Sequence, residues 1–396
     1  MKTIIDSAVQ RDNHFFAAGP KRILALDGGG IRGIISLAFV ERIEAMLARR
    51  RGGWEFRVAD YFDLIGGTST GAIIATGLAL GKSAGEMIEL YLTLAKKGFR
   101  RNRWIGGTFA PKFDAKALRA VIIEQFGQET LGSEKLRCGL GIVAKRIDTG
   151  SVWLFHNHPR GMFFGAEGTP EFTPNRNLLL SDLLRASSAV PSYFAPEPIE
   201  VAPGVKGLFV DGGVSPHNNP ALLLMMLATL QGHGFRWPTG ADRLMVASVG
   251  TGAPGPRPMW KDYATMPPVL LAVESLRSMM QDSNSLAQTM LQWMSASPMP
   301  WRIDGEVGDL GADQLAGQPL LHYLRYDAPV TEEWLGANLG IRLTEKELGA
   351  LAAIDRPEMA ARLLEIGRRA AEVQVREEHF PGAFDGETSN CARPTS

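Results

Sequence analysis

Phe62-Asp-Leu-Ile-Gly-Gly-Thr-Ser-Thr-Gly-Ala-Ile-Ile-Ala75 is the stretch that decides how this chain folds. A short apolar run, Phe62–Ile65, ends in glycines, and a longer apolar run from Ala72 to Leu80 follows almost at once. The short run closed by glycine reads as a buried strand, and the longer one as a helix, Thr70–Leu80. Between them lies Gly67-Thr-Ser-Thr-Gly71, a Gly-x-Ser-x-Gly pattern. A serine on a sharp strand-to-helix turn is lifted to the edge of a sheet, with small neighbours relieving the crowding. The helix behind it points its positive end at the serine oxygen. The bland alternative is a turn serine in a glycine-rich loop; the strand–turn–helix context favours a nucleophile.

The pattern recurs at Gly81-Lys-Ser-Ala-Gly85, in a different setting. Ser83 follows the end of the helix, and Ser83-Ala-Gly-Glu86 has capping-box spacing, so Ser83 is expected to be an N-cap. Gly81-Lys-Ser83 also hints at a phosphate-binding loop. The glycine that loop requires five positions earlier is Thr76, which rejects a nucleotide triphosphatase.

Upstream, Ile23-Leu-Ala-Leu26 reads as a strand running into Asp27-Gly-Gly-Gly-Ile-Arg-Gly33. Ile34, Leu37, Ala38, Ile43, Met46 and Leu47 follow at helical spacing, and Arg49-Arg-Arg-Gly-Gly53 is a helix stop. Further strands are expected at Cys138–Lys145, Val152–Phe155, Gly207–Val210 and Leu244–Val249. Alternating strands and helices predict a three-layer α/β/α sandwich with a largely parallel central sheet. The organisation expected is an N-terminal arm (1–20), a catalytic core (21–255), and a Met- and Trp-rich segment with C-terminal helices packed on the core (256–375). A flexible tail (376–396) completes it. In the C-terminal part, Thr344–Glu347 has capping-box spacing, and Asp355 with Pro357 reads as the cap and first position of a helix to about Val375.

Gly28-Gly-Gly-Ile-Arg-Gly33 satisfies a dinucleotide fingerprint, but a ribose-binding acid should follow about 20 positions on. That neighbourhood is Arg51-Gly-Gly-Trp54. The favoured reading is an oxyanion hole, with backbone N–H groups at Gly28, Gly29 and Gly30 aimed at a developing negative charge. Arg32 would hold the loop or meet an anionic headgroup. A serine hydroxyl also needs a partner to take its proton. Asp211, followed by Gly212 and Gly213, ends a strand and is expected at the same sheet edge as Ser69. Its bland reading is a cap for the turn through Asn218-Asn219. The rival is a Ser…Asp…His order, with His217, His322 or His379 as candidates that have no supporting local motif. His156 and His158 read as loop residues and make a poor metal set.

The chain is 396 residues long, with 45% hydrophobic and 21% charged residues, enough to bury a sizeable core. Lys plus Arg equals Asp plus Glu at 42 each, so global charge gives no reason to expect a nucleic-acid partner. Two cysteines, Cys138 and Cys391, cannot build a disulfide framework and fit a reducing compartment. Asp6 interrupts the start where a signal peptide needs its apolar stretch. The longest apolar runs are about half the ~18 residues of a membrane span, so a soluble, cytoplasmic chain is expected.

Taken together, these segments resemble the patatin-like phospholipases, particularly their bacterial members. Asp27–Gly33 is similar to the family's glycine-rich oxyanion motif, Gly67–Gly71 to its nucleophile elbow, and Asp211–Gly213 to its third motif. Ala186-Ser-Ser-Ala-Val-Pro-Ser-Tyr-Phe194, Asn218-Asn-Pro220 and Ser248-Val-Gly-Thr-Gly252 also match, and Tyr323–Asp327 extends the resemblance weakly. The resemblance implies a Ser69–Asp211 dyad without histidine, an oxyanion hole around Gly28–Gly30, and hydrolysis of fatty-acyl esters from phospholipids or other lipids. It implies no cofactor and no metal. The alternatives are an α/β-hydrolase-like soluble esterase with a Ser-Asp-His triad and a non-catalytic lipid- or nucleotide-binding module.

A lipid substrate implies transient contact with a membrane surface, at the inner face for a cytoplasmic protein. Lys96, Lys97, Arg100, Arg101 and Arg103 around Phe99 and Trp104 suit anionic headgroups, although a solvated surface is the commoner meaning of such a run. Met279, Met280, Met290, Trp293, Met294, Met299 and Trp301 form a soft apolar stretch suited to an acyl tunnel, a lid or core packing.

Overall fold

The computed structural model describes residues 6–51, 53, 55–98, 112–165, 171–252 and 263–385. The strands are β1 (Lys21–Leu26), β2 (Leu64–Thr68), β3 (Gly139–Arg146), β4 (Ser151–His156), β5 (Glu197–Ala202), β6 (Val205–Asp211), β7 (Leu244–Val249), β8 (Ser295–Ala296) and β9 (Leu321–Tyr326). They form one sheet in the order β5-β6-β3-β2-β1-β7-β9-β8, with β4 paired to β3 off that path. From β3 through β2, β1, β7 and β9 to β8 every pairing is parallel. β4, β6 and β5 form an antiparallel margin.

Every residue of β1, β2, β7 and β9 is buried. Parallel strands covered on both faces favour small and apolar residues, which dominate here, while Lys21, Arg22, His322 and Arg325 are buried charged or polar exceptions. The cover comes from α1 (Ser7–Phe16), α2 (Gly33–Arg51), α3 (Thr70–Ala79), α4 (Ala84–Lys97), α5 (Ala115–Phe126), α6 (Met162–Gly165), α7 (Leu180–Ser187), α8 (Ala221–Thr229), α9 (Pro268–Trp293), α10 (Glu332–Leu339), α11 (Glu345–Ala352) and α12 (Ala360–Gln374). Leu24 and Leu26 of β1 belong to a core shared with α2, α3, α4, α5, α7 and α12. Ile23 and Ala25 of the same strand belong to a second core with α8, Phe235 and Trp237. Alternate side chains of one strand thus point into two layers of helix, which makes a three-layer α/β/α sandwich.

Several expectations change in detail. Residues 1–20, expected as an arm without periodicity, contain α1, capped by Asp6, whose carboxylate accepts from Ala8 N–H at 2.9 Å. Phe15 at its end is buried in the second core. The sheet does not stop at residue 255. β9 continues it beyond β7, a strand missed because it lies behind a Pro- and Met-rich stretch with no clear period. Asp355 does not cap the helix entered through Pro357; Arg356 occupies that place. In the polar tail, Phe380 and Phe384 are buried in the main core. Cys138 is buried, while Cys391 lies outside the described residues. No helix among the described residues is long and apolar enough to cross a membrane.

Candidate active site

β2 ends at Thr68 and α3 begins at Thr70, so Ser69 makes the whole turn by itself. It does so at φ 57°, ψ −126°, a left-handed conformation rare for a residue with a side chain. The flanking glycines permit the sharp bend. A Cβ at Gly67 would lie 2.2 Å from the Gly71 carbonyl, and one at Gly71 would lie 2.3 Å from Leu26 O. Any larger residue at either position forces the strand and helix apart.

Asp211 reaches Ser69 from the other direction. β2 pairs with β3 in parallel, placing Thr68 beside Val143, whereas β6 runs antiparallel and places Asp211 beside Ala144. β4 covers the other side of β3, so β2 and β6 share one side, run toward each other and end at adjacent β3 residues. Ser69 Oγ donates to Asp211 Oδ2 at 2.5 Å. Both residues are buried. Burial pushes the Asp211 carboxyl up to about 7, against the downward pull of the Ser69 hydroxyl, the Gly213 N–H and the Arg185 charge. Gly213 N–H donates to the second carboxylate oxygen at 2.6 Å, so the glycine after the acid helps hold its rotamer.

The end of α7 grips both partners. Ser187 Oγ accepts from Ser69 N–H at 2.8 Å and donates to Val143 O at 2.6 Å. Two residues on, Ala189 O accepts from Asp211 N–H at 3.0 Å. Ser187 carried no role in the sequence reading. The only available signal was its place in the segment Ala186–Phe194.

The glycine loop runs beside Ser69. Asp27 is buried, and both its oxygens accept from Arg325 of β9, at 3.1 and 2.8 Å. Burial opposes the charge on Arg325, but Asp27 and Asp327 together hold its pKa above the ordinary value. Gly28 N–H is taken up by Asn218 O at 3.1 Å, and Ile31 N–H by Ile354 O at 2.9 Å. Among the described residues, the N–H groups of Gly29 and Gly30 have no protein partner and are the two left for a ligand. Tyr91 OH donates to Gly30 O from α4. Arg32 is buried and donates to Ala352 O at 3.0 Å, which ties the loop to the C-terminal layer.

The histidines lie elsewhere in the hydrogen-bond network. His322 Nε2 faces His379 O at 2.8 Å, and His379 Nδ1 faces Tyr326 OH at 3.0 Å. His217 offers its backbone carbonyl to Thr68 Oγ1 at 2.6 Å. None of the three is hydrogen-bonded to Ser69 or Asp211 among the described residues. Nor do the described residues contain a cluster of three or more His, Cys, Asp or Glu side chains able to hold a metal ion.

A pocket opens at Ser69, with walls from Ile73, Leu94, Leu118, Val190, Phe194 and Ile354. Its lining is almost wholly apolar, as a site for a hydrocarbon chain should be. The Met- and Trp-rich segment does not supply this lining. Met294 is buried in the second core, Met279 is exposed, and Met280 only approaches Gly213. Of the basic and aromatic run, Phe99, Arg100, Arg101, Arg103 and Trp104 lie outside the described residues.

A buried serine hydrogen-bonded to an aspartate at the carboxyl edge of an α/β/α sheet, beside an apolar pocket and unpaired glycine amides, defines a class equipped for acyl transfer. The chain belongs to the patatin-like phospholipase family, whose model matches residues 24–225, just over half its length. It is 36% identical over 207 residues to a cGAMP-activated phospholipase of Escherichia coli (strain TW11681), covering 51% of this chain and 54% of that one. A cGAMP-activated phospholipase of Vibrio cholerae (strain El Tor Inaba N16961) is 34% identical over 215 residues, 51% of this chain and 56% of its own. Patatin group J-1 of Solanum tuberosum is 32% identical over 218 residues, 52% and 53% respectively. The chain thus spans about half the length of the curated relatives it matches.

Proposed function

We propose that this chain is a serine lipid acyl hydrolase, with Ser69 as nucleophile, Asp211 as base, and the Gly29 and Gly30 N–H groups as the oxyanion hole. The observation that carries this reading is the 2.5 Å hydrogen bond from Ser69 to Asp211 beside the apolar pocket. Asp211 takes the hydroxyl proton as Ser69 Oγ attacks the ester carbonyl carbon. The negative oxygen of the tetrahedral intermediate then faces the two glycine amides and the N-terminus of α3. Collapse breaks the ester C–O bond, and Asp211 returns the proton to the departing alcohol. Water attacks the acyl-serine with Asp211 again accepting a proton, which passes back to Ser69 Oγ as the fatty acid leaves.

A carboxylate is a weak base for a hydroxyl, and its raised pKa narrows that gap. Phospholipids or other fatty-acyl esters are the substrate class, reached from the water side by transient contact with a membrane surface, the inner face for a cytoplasmic protein. In domain terms, residues 21–255 form most of the catalytic core, which β8, β9 and the C-terminal helices complete. The test is release of fatty acid from phosphatidylglycerol–phosphatidylethanolamine vesicles by wild type and by Ser69→Ala. Serine-dependent release is expected, and equal rates in both would overturn the reading. Adding cGAMP to the same assay examines whether the activation named for the two bacterial relatives extends to this chain.

A further inference from the structure

The connection from α11 to α12 lies beyond the matched family segment, yet it forms one side of the site. Ile354 O accepts the Ile31 N–H at 2.9 Å, and Ala352 O accepts from Arg32 Nη1 at 3.0 Å. A Cβ at Gly30 would sit 2.3 Å from Ile354 O and 2.8 Å from Ile354 Cβ, so strap and loop pack without a gap. Ile354 and Asp355 line the same pocket as Ser69. Asp355 pairs with Lys112. Lys112 N–H in turn donates to Ser192 O at 3.0 Å, and Phe113 N–H to Tyr193 O at 2.9 Å. The strap is therefore tied to the Val190–Phe194 wall as well as to the glycine loop.

Backbone and side chain divide the work at Ile354. The carbonyl braces the glycine loop, while the side chain is only partly buried and adds to an apolar wall. A substitution can then change the wall without releasing the Ile31 amide. We propose that Ile354 is a specificity-determining residue that sets the acyl-chain length accepted beside Ser69. The proposal rests on the hydrolase reading and adds to it a residue outside the segment that defines the family. Removing side-chain volume from an apolar wall admits more methylenes, each worth roughly fourfold in binding.

The experiment compares kcat/KM for p-nitrophenyl butyrate, octanoate, dodecanoate and palmitate in wild type, Ile354→Ala and Ile354→Phe. The preferred length should move to longer chains in the alanine variant and to shorter chains in the phenylalanine variant, by several-fold in the long-to-short ratio. An unchanged ratio, or a uniform fall at all lengths with the thermal midpoint preserved, overturns the proposal. Ile354→Val and Ile354→Leu supply smaller steps if the larger changes prevent folding, with the same ratio as readout. Displacement of a fluorescent fatty acid by unlabelled acids of each length, in the same variants, reads the wall without turnover. Wild type lacking Ser69-dependent hydrolysis would sink the hydrolase reading, whereas the displacement series still decides the role of Ile354.

Discussion

Gly67-Thr-Ser-Thr-Gly71 and Gly81-Lys-Ser-Ala-Gly85 carry one pattern fourteen residues apart, and the fold puts it to two uses. Ser69 sits at φ 57°, ψ −126°, makes no cap to its helix, and gives its hydroxyl to Asp211. Ser83 sits at φ −72°, ψ 161°, accepts from Glu86 N–H at 3.1 Å, and receives the Glu86 carboxylate on its own N–H at 2.7 Å. The glycines differ as sharply. A Cβ at Gly71 would strike Leu26 O at 2.3 Å, whereas one at Gly85 meets nothing closer than Ser83 Oγ at 3.9 Å. What precedes each serine makes the difference. A buried strand forces an abrupt reversal into α3, while the end of α3 leaves room for an ordinary cap on α4.

The largest expected effect separates the two hydroxyls. Ser69→Ala should lower fatty-acid release by roughly 10³-fold or more, and Ser83→Ala should leave the rate within about twofold. Comparable losses in the two variants would erase the distinction drawn between them.

Next in size is the partner that only Ser69 possesses. Asp211→Asn should cost about 10²–10⁴-fold in kcat/KM, as expected for loss of a positioned base. Burial holds the Asp211 carboxyl at about 7 against 3.8 in an unfolded chain. The folded state therefore binds the extra proton between those values, and this contribution to stability is lost as pH rises through about 7. Activity should run the opposite way, rising as Asp211 ionises, with its midpoint near pH 7. Asp211→Asn should accordingly melt higher than wild type at pH 8 while being nearly inactive. A flat pH–rate profile from 5.5 to 8.5 would assign the base elsewhere.

Smaller effects follow at the glycines. Gly71→Ala should destabilise by about 1–3 kcal/mol, because α3 and the end of β1 cannot both keep their places. Gly85→Ala, inside the first turn of α4, should stabilise by about 0.5 kcal/mol through helix propensity. Chemical denaturation of the two variants compares them directly, and equal signs would contradict the packing described. The smallest loss expected is that of the Ser83 cap itself. Ser83→Ala should cost about 1 kcal/mol in the same measurement, with no change in activity.

Much of this was legible locally. Gly67–Gly71 reads as an elbow because an apolar run stands on each side, and Ser83 reads as a cap because Glu86 lies three positions on. β7 matched its expected limits, β3 was displaced by one residue, and β2 begins two and ends three residues later than expected. The glycine loop was legible as a run of backbone amides, but not which of them stay free. That depends on Asn218 and Ile354, which take the Gly28 and Ile31 N–H groups from distant parts of the chain. Ser187 and Arg325 escaped notice because a buried hydroxyl and a buried guanidinium reveal their purpose only through their partners. β9 lay hidden behind a segment without clear period, so the support it gives Asp27 was hidden with it.

The alternation of strand and helix, the turn at Ser69 and the caps at Ser83 and Thr344 are written locally in the chain. Each of these is settled by residues within a few positions, where chain geometry leaves little choice. Which carboxylate faces Ser69, which amides remain unpaired among the described residues and what closes the pocket follow from the assembled fold. Ser69 and Asp211 are 142 positions apart, and they meet because β2 and the antiparallel β6 run toward each other along one side of β3 and end at adjacent residues of it. Strand order and register are properties of the assembled sheet, set by how all its faces are buried at once.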